Sequence, residues 1–363
     1  MPNKKARIAT DTPRTSDRAK RLHKEALLID GQGTAVLLPT ALVPPPPVND
    51  IPFLDRLVAS GLTAMNVTMG ISGIGIGVDN FRSMVGTVHA YLCYFELERD
   101  RIVHVLTVDD ILRAKREGKV GIIFGCQGLA SKIEDDANLL RILHRLGLRI
   151  GQLTWNERNS IGCGCLEVPD TGLSQFGRVV VREMNHVGIA IDLAHAGGCT
   201  IQETADLSET PVIVSHANVR RLTDNPRNLT DEVLKSVAAR NGVVGITAYS
   251  PFCEPRAGVR PTLKDVVNHI AYAVDLIGVD HVGIGSDFFE GESLVRFEHL
   301  FRVRYPDVIR HYTLDTVYAE GFDRVACFPR LSEALVDRGY KDADILKLLG
   351  GNFLRVFREI WKS

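Results

Sequence analysis

The chain predicts an α/β fold, a closed (β/α)8 TIM barrel, on three observations. Short apolar runs alternate with amphipathic helical stretches, the runs number eight, and polar residues of a few types collect just after them. Alternation of that kind builds a parallel sheet covered by helices, eight such units close it, and a barrel carries its chemistry at the C-terminal ends of its strands. The length, 363 residues, suits one barrel of this size with little left over.

The runs are Ala26–Asp30, Leu62–Thr68, Val120–Phe124, Arg149–Thr154, Ile189–Leu193, Pro211–Ser215, Val243–Thr247 and His281–Gly285. Between them, Leu139–Leu146, Gly177–Val187, Asp231–Ala239 and Lys264–Ile277 read as helices. The last places Val266, Val267, Ile270, Ala273, Val274 and Ile277 on one stripe at helical spacing. Thr107 with Asp110 and Thr230 before Asp231 and Glu232 are helix starts, because hydroxyls cap and acids suit the positive end. Gly31-Gln32-Gly33 lacks the third glycine of a dinucleotide turn, which disfavours an open doubly wound sheet. Residues 1–24 form a basic, polar N-terminal arm, read as a mobile arm or surface helix, and 25–363 a single barrel. Residues 80–117 are a mostly helical elaboration of it.

A net charge of -1 excludes the basic footprint of a general nucleic-acid binder. No apolar run approaches the roughly 18 residues of a membrane span, and the start of the chain lacks a signal-peptide core, so no membrane partner is expected. Seven cysteines without a C-x-x-C fit a reduced, cytoplasmic setting. Pro44 to Pro47 predict an exposed, extended loop. Among the cysteines, Cys163-Gly164-Cys165 reads as a loop packing pair and Cys126 as pointing away from the pocket if Gln127 points in.

The polar run ends are Asp30-Gly31-Gln32, Gly125-Cys126-Gln127-Gly128, Thr154-Trp155-Asn156, Asp192-Leu193-Ala194-His195, Ser215-His216-Ala217-Asn218 and Gly285-Ser286-Asp287. Two histidines on adjacent strand ends with a carboxylate two strands further round can converge on one point. Neutral imidazoles suit a hydrolytic zinc, and Asp287 could take a proton from metal-bound water. The remaining histidines, His89, His104, His144 and His186 among them, lie in helical patterns as surface or packing residues.

Several of these motifs together resemble the membrane (renal) dipeptidase family of the metal-dependent amidohydrolase superfamily. They are Leu153-Thr154-x-Asn156, Gly172-Leu173-Ser174-x-Phe176-Gly177, Met184-Asn185 before Asp192-Leu193-x-His195, Ser215-His216 with Pro226-Arg227-Asn228-Leu229-Thr230-Asp231, and Gly283-Ile284-Gly285-Ser286-Asp287-Phe288. The resemblance implies an amidohydrolase-like (β/α)8 barrel with two zinc ions bridged by a glutamate. It implies hydrolysis of dipeptides, with dimers common, which leaves a homodimer open for this chain. By position, His195 and His216 would ligate the second zinc, Arg227 would hold the substrate carboxylate and Asp287 would be the acid/base group.

The chain departs from that pattern at four chemical positions. The first-zinc His-x-Asp is replaced by Gln32 and Thr34, the bridging glutamate by Gln127, and the histidine after Leu-Thr by Trp155. Neutral amides and hydroxyls are poor zinc ligands, so the first site is expected to be lost. At most one divalent metal, zinc or another, is expected, with Gln127 a weak partner of His195 and His216, and a metal-free site remains open. Trp155, Asn156 and Tyr249 are expected beside Arg227 at the substrate, Trp155 as packing or as a stacking wall. The leading expectation is a dipeptidase-like hydrolase of a small carboxylate-bearing amide or dipeptide with a reduced, one-metal centre. A metal-free lyase or isomerase and a non-catalytic binder of a small carboxylate are the alternatives.

Overall fold

The computed structural model describes residues 15–33, 53–70, 80–290 and 294–361. Thr34 and the four-proline run lie outside them, as do residues 1–14. Nine parallel strands are present among the described residues: β1 Ile29–Asp30, β2 Ala64–Thr68, β3 Ile102–Val105, β4 Val120–Cys126, β5 Leu148–Gln152, β6 Ala190–Asp192, β7 Ile213–Ala217, β8 Val243–Ile246 and β9 Val282–Ile284. Eight of them close a barrel in the order β1-β2-β4-β5-β6-β7-β8-β9, with β9 returning to β1. The fold is the (β/α)8 barrel.

Residues 80–117 are mostly helical, in Phe81–Leu97 and Val108–Glu117, and between these helices they also hold the ninth strand, β3. It lies beside the first half of β4, pairing Ile102 with Val120 and Val105 with Ile123. Residue 104 therefore belongs to a strand and not to a helical pattern. His104 packs on Phe95 and Phe124 at ring distances of 4.9 and 4.3 Å. An imidazole and short β-branched residues between a helix and a capped start are too short a run to show a period.

The arm boundary at residue 24 is also displaced. Asp17–Glu25 is a helix capped by Ser16, with Ala19 and Leu22 fully buried and Arg18 and Arg21 paired with Asp342. Its basic face hid the two apolar residues that dock it on the barrel. The four later helices run as the stripes predict, Leu139–Arg145, Gln175–Val187, Asp231–Ala239 and Leu263–Ile277, and Thr107 and Thr230 cap theirs. No helix of the described residues is long and apolar enough to cross a membrane.

Strand alternation layers the barrel interior. At the N-terminal end Ile29, Ile123, Ile150, Ile213 and Val243 form one apolar cluster with Phe353 and Phe357 of the closing helix Asn352–Ile360. A Cβ on Gly283 would stand 2.7 Å from the Phe353 ring, so that helix seals the floor only because glycine faces it. Two residues further along the strands, the same inward face turns polar at Asn66, Gln152, Asp192 and Ser215, all buried. The floor stabilises, and the mouth is left for chemistry.

Candidate active site

Three side chains at the mouth sit on backbone that L residues seldom adopt. Asn156, His195 and Asp287 have φ of 56°, 65° and 57°. Each follows a strand, and the left-handed twist turns its side chain back over the barrel axis. Such conformations cost about 1–3 kcal/mol apiece and persist where the surroundings over-determine them. Asn and Asp tolerate them best, which suits two of the three residues.

The imidazoles of His195 and His216 face each other, their Nε2 atoms 3.0 Å apart. Each is anchored at its other nitrogen. His195 Nδ1 lies 2.7 Å from Asn156 Oδ1, an acceptor, so Nδ1 carries the hydrogen. His216 Nδ1 lies 2.8 Å from Ser215 Oγ, whose own hydrogen goes to Asp192 Oδ2 at 2.6 Å. So anchored, both rings turn a bare Nε2 lone pair toward the same point. Burial first, then Arg227, holds both well below the usual histidine range, and His216 adds to the effect at His195, so both rings are neutral near pH 7. Neutral rings, each donating its second N–H to a fixed oxygen, are what a metal ligand pair requires.

The cation opposite them is Arg227. It is buried, yet it makes no ion pair among the described residues. Its Nη2 reaches the His216 carbonyl at 3.4 Å, its Nε is unpartnered, and the Phe252 ring lies 5.1 Å from its Cζ. Burial lowers its pKa, with Cys165, Asp287 and Asp192 pulling the other way. Asp287 is pushed up to about 8 by burial, against the pull of Arg227, with Asp30 adding to the rise. It therefore keeps its proton at neutral pH.

Gln127 and Trp155 form the next wall. Trp155 Nε1 donates to Gln127 Oε1 at 3.0 Å, and the indole stacks on His195 at 5.2 Å. Trp155 thus fills space beside His195, the packing role expected of it. Gln127 has one lone pair already engaged, and Cys126 points into the core beneath it, as its position beside an inward Gln127 predicts. Asn156, expected at the substrate, lines the cleft but chiefly positions His195. Tyr249 lines the same cleft.

Gln32 lies apart from this group. Its Nε2 donates to Thr68 Oγ1 at 3.0 Å and to the Gly33 carbonyl at 3.1 Å, while its Oε1 accepts from Asn66 at 3.2 Å. A Cβ on Gly125 would fall 2.0 Å from Asn66 Oδ1, so the network needs glycine there. Both polar atoms of the Gln32 amide are engaged within the fold, its nitrogen by two acceptors and its oxygen by Asn66.

Together Gln127, Trp155, His195, Arg227, Tyr249 and Asp287, with Phe252, Phe289, Phe301 and Val308, line a cleft of about 380 Å³. The four apolar residues were not expected from the sequence. Phe301 and Val308 come from the loop region after β9, and their order in sequence carries no trace of where that loop folds. The Ser215–Asp192 relay was legible only as fragments of two strand-end motifs.

A barrel whose mouth gathers two imidazoles, an acid and a buried arginine is an amidohydrolase-type scaffold. The profile of the membrane dipeptidase family (peptidase family M19) matches residues 16–314 and 312–362, and the chain belongs to that family. A dipeptidase of Claviceps purpurea, TcpJ, is 31% identical over 267 residues, 73% of this chain and 57% of that protein. The chain thus spans little more than half of that relative. An amidohydrolase from Pseudomonas aeruginosa superposes with a TM-score of 0.83 at 32% identity, covering 95% of this chain and 99% of that one. A metallopeptidase from Rhodobacter sphaeroides, solved with a phosphinate mimic of the dipeptide L-Ala-D-Ala, shares the fold at TM-score 0.74 and 22% identity, covering 93% and 99%.

Among the described residues no three or more His, Cys, Asp or Glu side chains converge as a metal cluster. A centre of two zinc ions does not fit a Gln32 amide already engaged and a neutral Gln127 in the bridging place. The two facing imidazoles do fit a single ion, with its other positions open to water and substrate.

Proposed function

We propose that the protein is a dipeptidase-like hydrolase acting on a small amide that bears a free carboxylate, with one divalent metal, zinc or a similar ion, at His195 and His216. The observation that carries the reading is Arg227, a buried guanidinium without a carboxylate partner, facing the same cleft as the imidazoles. An unpaired buried cation is costly, and a bound carboxylate relieves that cost with two parallel hydrogen bonds. The dipeptidases and peptidases among the relatives support the same reading.

When bound, a metal at the imidazoles supplies Lewis-acid polarisation and a more acidic water. Arg227 holds and orients the carboxylate end. Asp287, facing the same cleft, is the group placed to pass a proton between the attacking water and the departing nitrogen. Asn156 and Ser215 keep the two rings in one tautomer, and the Trp155 face excludes bulk water beside His195.

The test is metal analysis of protein prepared without chelators, together with a screen of dipeptides and N-acylated amino acids. About one equivalent of metal, lost in His195→Ala/His216→Ala, with cleavage of at least one compound, is the expected result. Less than about a tenth of an equivalent and no cleavage would sink the reading. The closed amide network at Gln32 favours one other outcome, a binder that has lost the chemistry. That protein would melt later with a ligand present yet form no product.

A further inference from the structure

Beside Arg227 the cleft is walled by hydrocarbon. Phe252 lies against the guanidinium, Tyr249 lies 4.9 Å from Phe252 between ring centres, and Phe301 lies 6.3 Å from Tyr249. Val308, buried, adds to the same lining. Phe301 and Val308 are carried on the segment after β9, whose rim is tied down by Arg304 and the Tyr305 hydroxyl on Glu157 at 2.9 and 3.0 Å, and by Arg310 on Glu254. The only charged types among the lining residues are Arg227 and Asp287.

A carboxylate held by the guanidinium carries its α-carbon one bond away, so whatever the α-carbon bears is brought to this wall. Among the described lining residues Arg227 is the one guanidinium or ammonium group, so a second anionic group on the α-carbon would meet ring and alkyl groups at this wall. A cationic group would have to take Asp287, the acid the reaction uses. An unpaired charge is far more costly to bury than an alkyl group, whose burial is favourable.

We infer that the cleft selects a carboxylate whose α-substituent is apolar and uncharged. This rests on the reading of Arg227 as the carboxylate clamp and names the substrate class that the clamp serves. Tyr249, Phe301 and Val308 are the specificity-determining residues, and the loop that the sequence leaves unread is what encodes them.

Calorimetric titration of the full chain with N-acetyl-leucine, N-acetylglycine and N-acetylaspartate tests the inference, the acetyl group removing the amine as a variable. N-acetyl-leucine is expected to bind at least about tenfold more tightly than N-acetylglycine, with N-acetylaspartate weakest. Phe301→Ser and Val308→Thr should each shrink the leucine-to-glycine ratio by about threefold or more. Val308→Thr keeps the shape and adds only a hydroxyl, so it carries the test if Phe301→Ser fails to fold. Equal binding of the leucine and glycine compounds, or tighter binding of the aspartate compound, overturns the selectivity while leaving the clamp intact. No binding by any of the three, in wild type and in Arg227→Met alike, overturns the clamp and the selectivity together.

Discussion

The β1–β2 side of the barrel mouth and its β6–β7 side treat their polar groups in opposite ways. Around Gln32, each amide atom has a partner inside the fold, supplied by Asn66, Thr68 and the Gly33 carbonyl. Around His216, two lone pairs point at each other and a guanidinium is buried without a carboxylate. The Gln32 amide is satisfied, though Asn66 Oδ1 beside it has no hydrogen-bond partner among the described residues, so what separates the two sides is the buried charge of Arg227, which a bound carboxylate would pair.

The sharpest way to break that contrast is Arg227→Met. Affinity for a small carboxylate should fall by about 2–5 kcal/mol, measured calorimetrically, while the melting temperature holds or rises, since an unpaired buried charge is removed. A collapse in melting temperature would make Arg227 architecture as well.

The buried carboxyl of Asp30 extends the comparison to pH. Burial pushes it up to about 7, against hydrogen bonds from Ser286 and the Gln32 backbone N–H that pull it down. The unfolded chain ionises near the ordinary carboxyl value and the folded one does not, so the folded state binds the extra proton between about pH 4 and 7. Its stability contribution is complete below that window and is lost as pH rises through it, by up to about 4 kcal/mol. Chemical denaturation at pH 5 and pH 8 should show the fall, and Asp30→Asn should reduce it, the remainder belonging to Asp287, which burial likewise raises, to about 8.

Gln32→Ala should destabilise by about 1–3 kcal/mol in urea titrations, because Thr68 and Asn66 lose buried partners. Carboxylate affinity should stay within about twofold of wild type. An effect on ligand binding as large as that on stability would mean the two sides are coupled. Arg304→Ala, breaking a half-exposed pair with Glu157, should cost less than about 1 kcal/mol in the same titrations.

How much of this was legible varies by element. The barrel was, because eight inward faces repeat the same alternation and helices such as Leu263–Ile277 carry long apolar stripes. β3 was not, since four residues flanked by a capped helix start show no period. The docked helix Asp17–Glu25 was not, because only two of its residues face the barrel. At the site, His195, His216 and Asp287 stand at strand ends where a barrel concentrates chemistry, while Arg227 lies in the loop after β7 and came from the resemblance alone; His195, Arg227 and Asp287 line one cleft, with His216 3.0 Å from His195.

What the sequence by itself determined is the barrel and the ring of strand ends at which Gln32, Gln127 and Trp155 stand, because strand period is a local property. Only the tertiary structure decided which polar groups are satisfied. That the Gln32 amide is engaged within the fold, that the two Nε2 atoms meet at 3.0 Å and that Phe301 and Val308 wall the cleft near Arg227 all depend on partners far away in the chain. Hydrogen bonding and burial are properties of pairs, and pairs exist only once the chain has closed on itself.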